Sequence, residues 1–331
     1  MGLMETNDVG VEDTRLTAHD LPPTTRLGVE TLQLRPQTGA PLRLLVALAH
    51  PDDESFGMGS TLARYAAAGV EVHYACATRG ESGEVAPELL VGYENLGALR
   101  TAELTSAARE LGLTAVHFLG YRDSGMVGSP ANEHPQAFVQ APIDQVARQL
   151  VGLIRAIRPQ VLVTFNPYGG YGHPDHIHIH KATLAAFGAA GDPAQHPDLT
   201  AAEFSAWEPQ KLYFHTFSPG MLKWLLAGFR VVGKDPRRFG QNGDVDLVRA
   251  VEQAGRVTAR LDNRAYATDK ERASACHRSQ GGGGGPFARL PRRWRYRLLG
   301  EEYFARVVPP SPLGTASEID LFAGVAVAPA R

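Results

Sequence analysis

Four short apolar runs, each closed by a loop crowded with polar residues, constrain this chain more than any other feature. The runs are LRLLVALA at 42–49, VEVHYACAT at 70–78, VHFL at 116–119 and VLVTF at 161–165. Brief apolar stretches of this length read as buried strands of a parallel sheet. Between them lie segments of helical period: Met58–Ala68 stopped by Gly69, Leu96–Leu111, and Ile143–Ile157 ahead of Pro159. Alternation of this kind implies βαβ units with right-handed crossovers. The chain is therefore predicted to be α/β, a three-layer sandwich around a mostly parallel, Rossmann-like sheet. In such sheets the ligand site lies beyond the carboxyl ends of the strands. The loops HPDDE, RGESGE, GYRDSGM and NPYGGYGHPDH follow strands one to four, so they would meet on one rim.

The remaining segments are less regular. Residues 1–40 are polar and broken by Pro22, Pro23 and Pro36, which reads as a partly disordered or draped extension. Residues 41–331 read as a single domain, with 191–331 extending it and shaping the pocket. In that last part Lys211–Phe217 and Val257–Leu261 are expected strands, and Met221–Phe229 and Asp269–His277 expected helices. The five glycines Gly281–Gly285 are expected to form a flexible loop.

Composition narrows the function. A formal net charge of −2 over 331 residues offers no general attraction to nucleic acid or an anionic membrane. The basic stretch 291–297 (PRRWRYR) is better read as a structural strand or a salt-bridged surface. Cys76 and Cys276 form no disulfide framework and no CxxC zinc motif. With no spanning apolar run and no secretion signal, the expected location is the cytoplasm.

The chemistry sits in two clusters. HPDDE at 50–54 packs an imidazole and three carboxylates into one turn, a self-repelling arrangement unless a cation neutralises it. Alone it reads equally well as a helix N-cap. HPDH at 173–176, on the same predicted rim, tips the balance to metal. Together the two offer His, Asp and His donors, a set that suits Zn²⁺ and tolerates Fe²⁺, with a position left open for water. Water so polarised is a nucleophile near neutral pH, and a spare carboxylate can serve as its base. His180, four residues after His176, and His178, His73 and His117 read as packing or core histidines. The RGESGE loop lacks the glycine pattern of a nucleotide cradle.

AHPDDE at 49–54 and GYGHPDH at 170–176 resemble the paired motifs of the PIG-L/LmbE-like zinc de-N-acetylases, with further similarity in ATRGESGE, GYRDSGM, the CHRSQ segment and EIDLFAGV. The resemblance runs over roughly 43–325 and looks nearest the mycothiol/bacillithiol-type deacetylase and mycothiol conjugate amidase branch. It implies His50, Asp53 and His176 as zinc ligands and Asp52 as general base. It implies that His173 stabilises the oxyanion or protonates the amine, with Asp175 orienting and charging it, and that Tyr171 polarises the carbonyl. Arg79 and Asp123 would contact substrate, and His277 and Gln280 match a motif to which it assigns no role. The expected activity is metal-dependent hydrolysis of an N-acyl, above all N-acetyl, amide on a glucosamine-based small molecule or glycoconjugate. An amidase acting on a thiol S-conjugate and a non-catalytic metal- or sugar-binding module are the alternatives.

Overall fold

The structure, a computed structural model, describes residues 24, 27–39, 41–201, 204–217, 226, 228–229, 233, 235–238, 243, 245–282, 291–311 and 318–327. Its strands are β1 (Glu30–Gln33), β2 (Arg43–Leu48), β3 (Glu71–Cys76), β4 (Ala115–Phe118), β5 (Val161–Phe165), β6 (Lys211–Thr216), β7 (Ala259–Asp262) and β8 (Glu301–Val308). Among the described residues they form one sheet in the order β1-β4-β3-β2-β5-β6-β8-β7. The stretch from β4 to β6 is parallel, and β1, β8 and β7 extend it in antiparallel pairings. The mixed α/β sheet expected from the alternation is present. Strand order reverses between β2 and β5, whose Leu44 and Val161 pair directly. That is the switch point where an open α/β sheet leaves a crevice at its carboxyl edge.

Among the described residues the α-helices are α1 (Asp53–Ala67), α2 (Leu96–Leu111), α3 (Ile143–Ile157), α4 (Gly169–Gly172, one turn), α5 (Pro174–Ala189), α6 (Pro197–Ala201), α7 (Leu247–Glu252), α8 (Ala267–Cys276) and α9 (Arg292–Leu299). Helix α3 packs on α5, while α1 and α2 pack with α8. The bounds of α2 follow from its ends: the Asn95 side chain accepts the Ala98 amide at 2.9 Å, and Gly112 takes the left-handed conformation at the other end. Every residue of β3, β4 and β5 is buried, including the polar Glu71, His73 and His117. No helix among the described residues is long and apolar enough to cross a membrane.

Three segments differ from expectation. Glu30–Gln33, read as extension, pairs with β4 as an edge strand, four residues too short and too polar to signal itself. Helix α1 starts at Asp53 rather than Met58; Met58 has non-helical angles (φ −136°, ψ 25°), so the regular period begins only after this break. The basic stretch is a helix, not a strand, although its surface ion pairs are there: Arg292 and Arg295 both reach Glu271. Residues 1–23, most of Met221–Phe229 and Gly283–Gly285 lie outside the described residues.

Candidate active site

His50 leaves β2 and His173 and His176 follow β5, so the switch point brings them together. His50 Nδ1 is 3.2 Å from His176 Nε2, and the Asp53 carboxylate lies 3.6 Å from the first and 3.4 Å from the second. Bonds of about 2.0–2.1 Å in a tetrahedron put ligand atoms about 3.3 Å apart. The His50, His176 and Asp53 donor atoms, the last through Oδ2 to His50 and Oδ1 to His176, are thus spaced close to the edges of such a tetrahedron. Their other atoms are already committed. His176 Nδ1 donates to Gly169 O at 3.0 Å, which leaves its Nε2 lone pair for a cation. His50 Nε2 faces Asp175 Oδ2 at 3.2 Å and Asp123 Oδ1 at 3.5 Å. Carboxylates behind a histidine in this way fix its tautomer and strengthen it as a ligand. Glycine at 169 is needed here: its φ is +66°, and a Cβ would stand 2.7 Å from that of His176.

Electrostatics agree with a cation at this point. Burial works to lower the His50 pKa, but Asp123, Asp175 and Asp53 outweigh it and raise it. Burial lowers His176 to about 4, so its nitrogen stays unprotonated. Burial would raise Asp53, but His176 and His50 hold it well below the usual carboxylate range. Two further groups place their donor atoms within 4.8 Å of one another here: His50, His173 and His176, and His50, Asp123 and Asp175.

Asp52 sits at the mouth of this cluster in a conformation unusual for a residue with a side chain, φ 111° and ψ −31°. Backbones held this way cost of order 1–3 kcal/mol and persist only where their surroundings enforce them. Its Oδ2 receives Arg100 Nη2 at 2.9 Å. Burial raises its pKa to about 7, Arg100 opposing and Asp53 adding to the rise. A carboxyl of that strength is matched to proton transfer near neutrality.

A cavity of about 720 Å³ opens over these groups, lined by His50, Asp52, Arg100, Asp123, Tyr171 and His173. Val245, Ser279 and Gln280 from the C-terminal third close another side of it. Burial keeps the Tyr171 hydroxyl protonated far above neutrality, as a hydrogen-bond donor.

Two assignments need correcting. Asp175 does orient His173, but through its backbone: its amide donates to His173 Nδ1 at 3.1 Å, His173 being the N-cap of α5. The Asp175 carboxylate instead faces His50 and accepts the Ser124 amide at 3.0 Å. Burial, then His50 and His176, hold the His173 pKa well below its ordinary value. With Nδ1 accepting the Asp175 amide, a neutral His173 carries its proton on Nε2, and the carboxylate expected to charge it lies elsewhere. Arg79 points away from the cavity, donating to Thr101 and Glu30 and lying 4.1 Å over the Phe118 ring. Asp123 does line the cavity, with its oxygens committed to Gly125 and Ser82 amides.

The guanidinium that does reach the site, Arg100, escapes a reading of the sequence. It donates to Asp52, to Pro51 O at 2.5 Å and to Gly80 O at 3.0 Å. Gly80 has no Cβ because one would lie 2.0 Å from Arg100 Nη1. A signal exists: Arg100 falls on the apolar face of α2, beside Leu96, Leu99 and Leu104, and is itself only 4% exposed. Histidines read as structural are so. His180 Nδ1 bonds Phe165 O, and His73 stacks on His117 within the sheet.

Residues 45–187 match the family profile described as PIG-L, GlcNAc-PI de-N-acetylase. A curated relative from Geodermatophilus obscurus, named 1D-myo-inositol 2-acetamido-2-deoxy-alpha-D-glucopyranoside deacetylase, is 40% identical over 86% of this chain and 98% of its own. One of the same name from Streptomyces scabiei is 40% identical over 88% and 93%. Among solved structures, the conserved protein TT1542 from Thermus thermophilus aligns with a TM-score of 0.50 at 24% identity, over 83% of this chain and 96% of that one. The 4-carboxy-2-hydroxymuconate hydratase GalB from Pseudomonas putida aligns at 0.54 and 18%, over 83% and 100%. These two speak for the fold alone, and the hydratase shows that the fold does not dictate the reaction.

Proposed function

The chain belongs to the PIG-L family of de-N-acetylases, and we propose that it hydrolyses the acetamide of an N-acetylglucosamine joined to inositol, using a metal held by His50, Asp53 and His176. The observation that carries this reading is the convergence of those three donors, 3.2–3.6 Å apart, beside a strained carboxyl with a pKa of about 7. A zinc ion held by these residues would supply a water nucleophile at neutral pH and an electrophile for the amide carbonyl; Fe²⁺ suits the same donors.

The protein's own groups carry the rest. Asp52 takes the proton of the attacking water, its carboxylate aimed by the Arg100 fork. Tyr171 O–H and His173 Nε2–H are the donors to the amide oxygen as negative charge develops on it. Groups of this kind are typically worth about 3–4 kcal/mol each in the transition state. Neutral His173 suits that task, since its proton is fixed on the nitrogen away from the Asp175 amide. Asp52 then returns its proton to the nitrogen as the C–N bond breaks, releasing acetate and the free amine.

The test is amine release from N-acetylglucosaminyl-inositol, N-acetylglucosamine and a thiol S-conjugate, with metal content measured on the same sample. Turnover of the inositol compound, lost on chelation and restored by Zn²⁺, is expected. Cleavage of only the S-conjugate would move the activity to the amidase side. Failure of fully metal-loaded protein on all three overturns the reading.

A further inference from the structure

The Glu54–His277 pair is buried completely and takes no part in the chemistry described above. Both side chains are 0% exposed, and His277 Nε2 lies 2.7 Å from Glu54 Oε1. The other Glu54 oxygen, Oε2, accepts the backbone amide of Asp52 at 2.9 Å. That amide belongs to the residue held at φ 111°, whose own side chain makes no capping bond to the helix it precedes. Glu54 thus holds the Asp52 amide, and its other oxygen, Oε1, is held in turn by His277 Nε2 and the Ser55 hydroxyl.

His277 is itself anchored. It ends α8, with its amide on Ser274 O at 3.2 Å. Two residues on, Ser279 gives its amide and hydroxyl to Glu103 on α2, at 2.8 and 2.6 Å. Glu103 is one turn from Arg100, which holds the Asp52 carboxylate. The ring of contacts is closed: Asp52 backbone to Glu54, Glu54 to His277, the turn after His277 to Glu103, and Arg100 back to the Asp52 side chain. Asp52 is gripped at its amide by Glu54 of the adjoining α1, which His277 of α8 backs, and at its carboxylate by Arg100 of α2.

We infer that His277 is a positioning residue for Asp52: acting through Glu54, it holds the strained backbone that aims the general base, and so couples the C-terminal segment to the proton transfer. The inference rests on the hydrolytic reading for the role of Asp52, while its geometric part stands without it. Removing the imidazole leaves the buried Glu54 Oε1 with only the Ser55 hydroxyl of the two donors that now hold it, and Glu54 must move or recruit water. Either change releases the Asp52 amide. A displacement near 1 Å at a catalytic group can cost about a hundredfold in rate.

The experiment compares wild type, His277→Leu and His277→Gln, the last keeping an N–H donor within reach of Glu54. Amide hydrogen exchange of the chelated proteins is read on the peptide spanning 50–56. His277→Leu is expected to speed that exchange by about tenfold or more, with β3 and β5 unchanged, and His277→Gln to restore protection. In zinc-loaded protein, His277→Leu should lower kcat by about 10–100-fold with KM within about threefold and metal content unchanged, and His277→Gln should recover most of it. Unchanged exchange at 50–56 in His277→Leu overturns the inference, as does a loss expressed only in KM or in metal content. If His277→Leu fails to fold, His277→Gln decides: near-normal exchange and kcat support the inference, and loss of both despite the retained donor overturns it. An inactive wild type with the expected exchange pattern would count against the proposed reaction and not against the pairing.

Discussion

The Glu302 carboxylate on β8 accepts the Thr61 amide of α1 at 2.7 Å, reaching across 241 positions to cap a helix from the opposite end of the chain. The helix needs this because it breaks at Met58. Glu302 also takes the Ser60 amide, while Lys270 of α8, 2.7 Å from Glu302, donates to Gly57 O on the other side of the break. Both ends of the interruption are therefore satisfied from the C-terminal third, by the buried Glu302 carboxylate and its partly exposed partner Lys270.

Removing one member of such a pair strands the other. Glu302→Leu is expected to cost about 3–5 kcal/mol, read as a lower denaturant midpoint with an unchanged slope. Glu302→Gln, which keeps the acceptor, should cost less, and Lys270→Met combined with Glu302→Leu should recover part of the loss. A neutral outcome for Glu302→Leu would mean that water caps the break equally well. The pH sign is fixed too. Burial would raise Glu302, but Lys270 outweighs it and lowers its pKa. This contribution is thus present above the unfolded carboxyl value near 4.5 and is lost as pH falls below it.

Asp52→Asn is expected to keep its metal and its fold and to lose about 10²–10⁴ in kcat. The amide preserves shape and an acceptor for Arg100 but cannot take a proton. Metal analysis and kinetics on one preparation settle it, and near-normal turnover would remove Asp52 from the proton path.

The stacked pair His73 and His117 gives the fold an acid sensitivity unrelated to the site. His73 Nδ1 and His117 Nε2 are 3.1 Å apart, and Thr31 of the edge strand bonds His117 Nδ1 at 2.9 Å. Burial lowers His73 to about 4 and His117 to about 3. Unfolded histidines titrate near 6.5. Between those values the unfolded chain binds more protons, so stability falls as pH drops below about 6.5. The expected loss at pH 5 is about 2 kcal/mol per histidine. Thermal unfolding at pH 7.5, 6 and 5 measures the slope, and the double variant His73→Phe, His117→Leu should flatten it. An equally steep slope in the double variant would assign the acid sensitivity to other groups.

How much of this can be read from the residues depends on whether a feature is local. Helices Leu96–Leu111 and Ile143–Ile157 run as the sequence indicates, because Asn95, Gly112, Pro142 and Pro159 punctuate them. The two strand ends that carry His50 and His176 are visible because chemistry clusters there within five residues. The pieces that escape are long-range. Arg100 is one polar residue on an apolar helical face, Glu302 one carboxylate in a strand, and each acquires its meaning from a partner 48 or 241 residues away. Asp175 misleads for a related reason. Adjacency to His173 suggests a side-chain contact, whereas a helix N-terminus turns the amide toward the cap and the carboxylate elsewhere.

Arg100 offers the sharpest test of how the base is tuned. Its guanidinium makes three contacts at once, to Asp52, Pro51 O and Gly80 O, which the unforked ammonium of a lysine cannot reproduce. Arg100 also lowers the Asp52 pKa against the larger effect of burial. Replacing it by glutamine removes that opposition, so the Asp52 pKa should rise. The acid limb of kcat/KM reports the base of the free enzyme, and in Arg100→Gln it should move to higher pH. Arg100→Lys keeps the charge but loses the fork. It should lower kcat by about tenfold or more while shifting the limb less than Arg100→Gln does. A limb that stays in place in Arg100→Gln would show that the titration seen in kcat/KM belongs to a group other than Asp52.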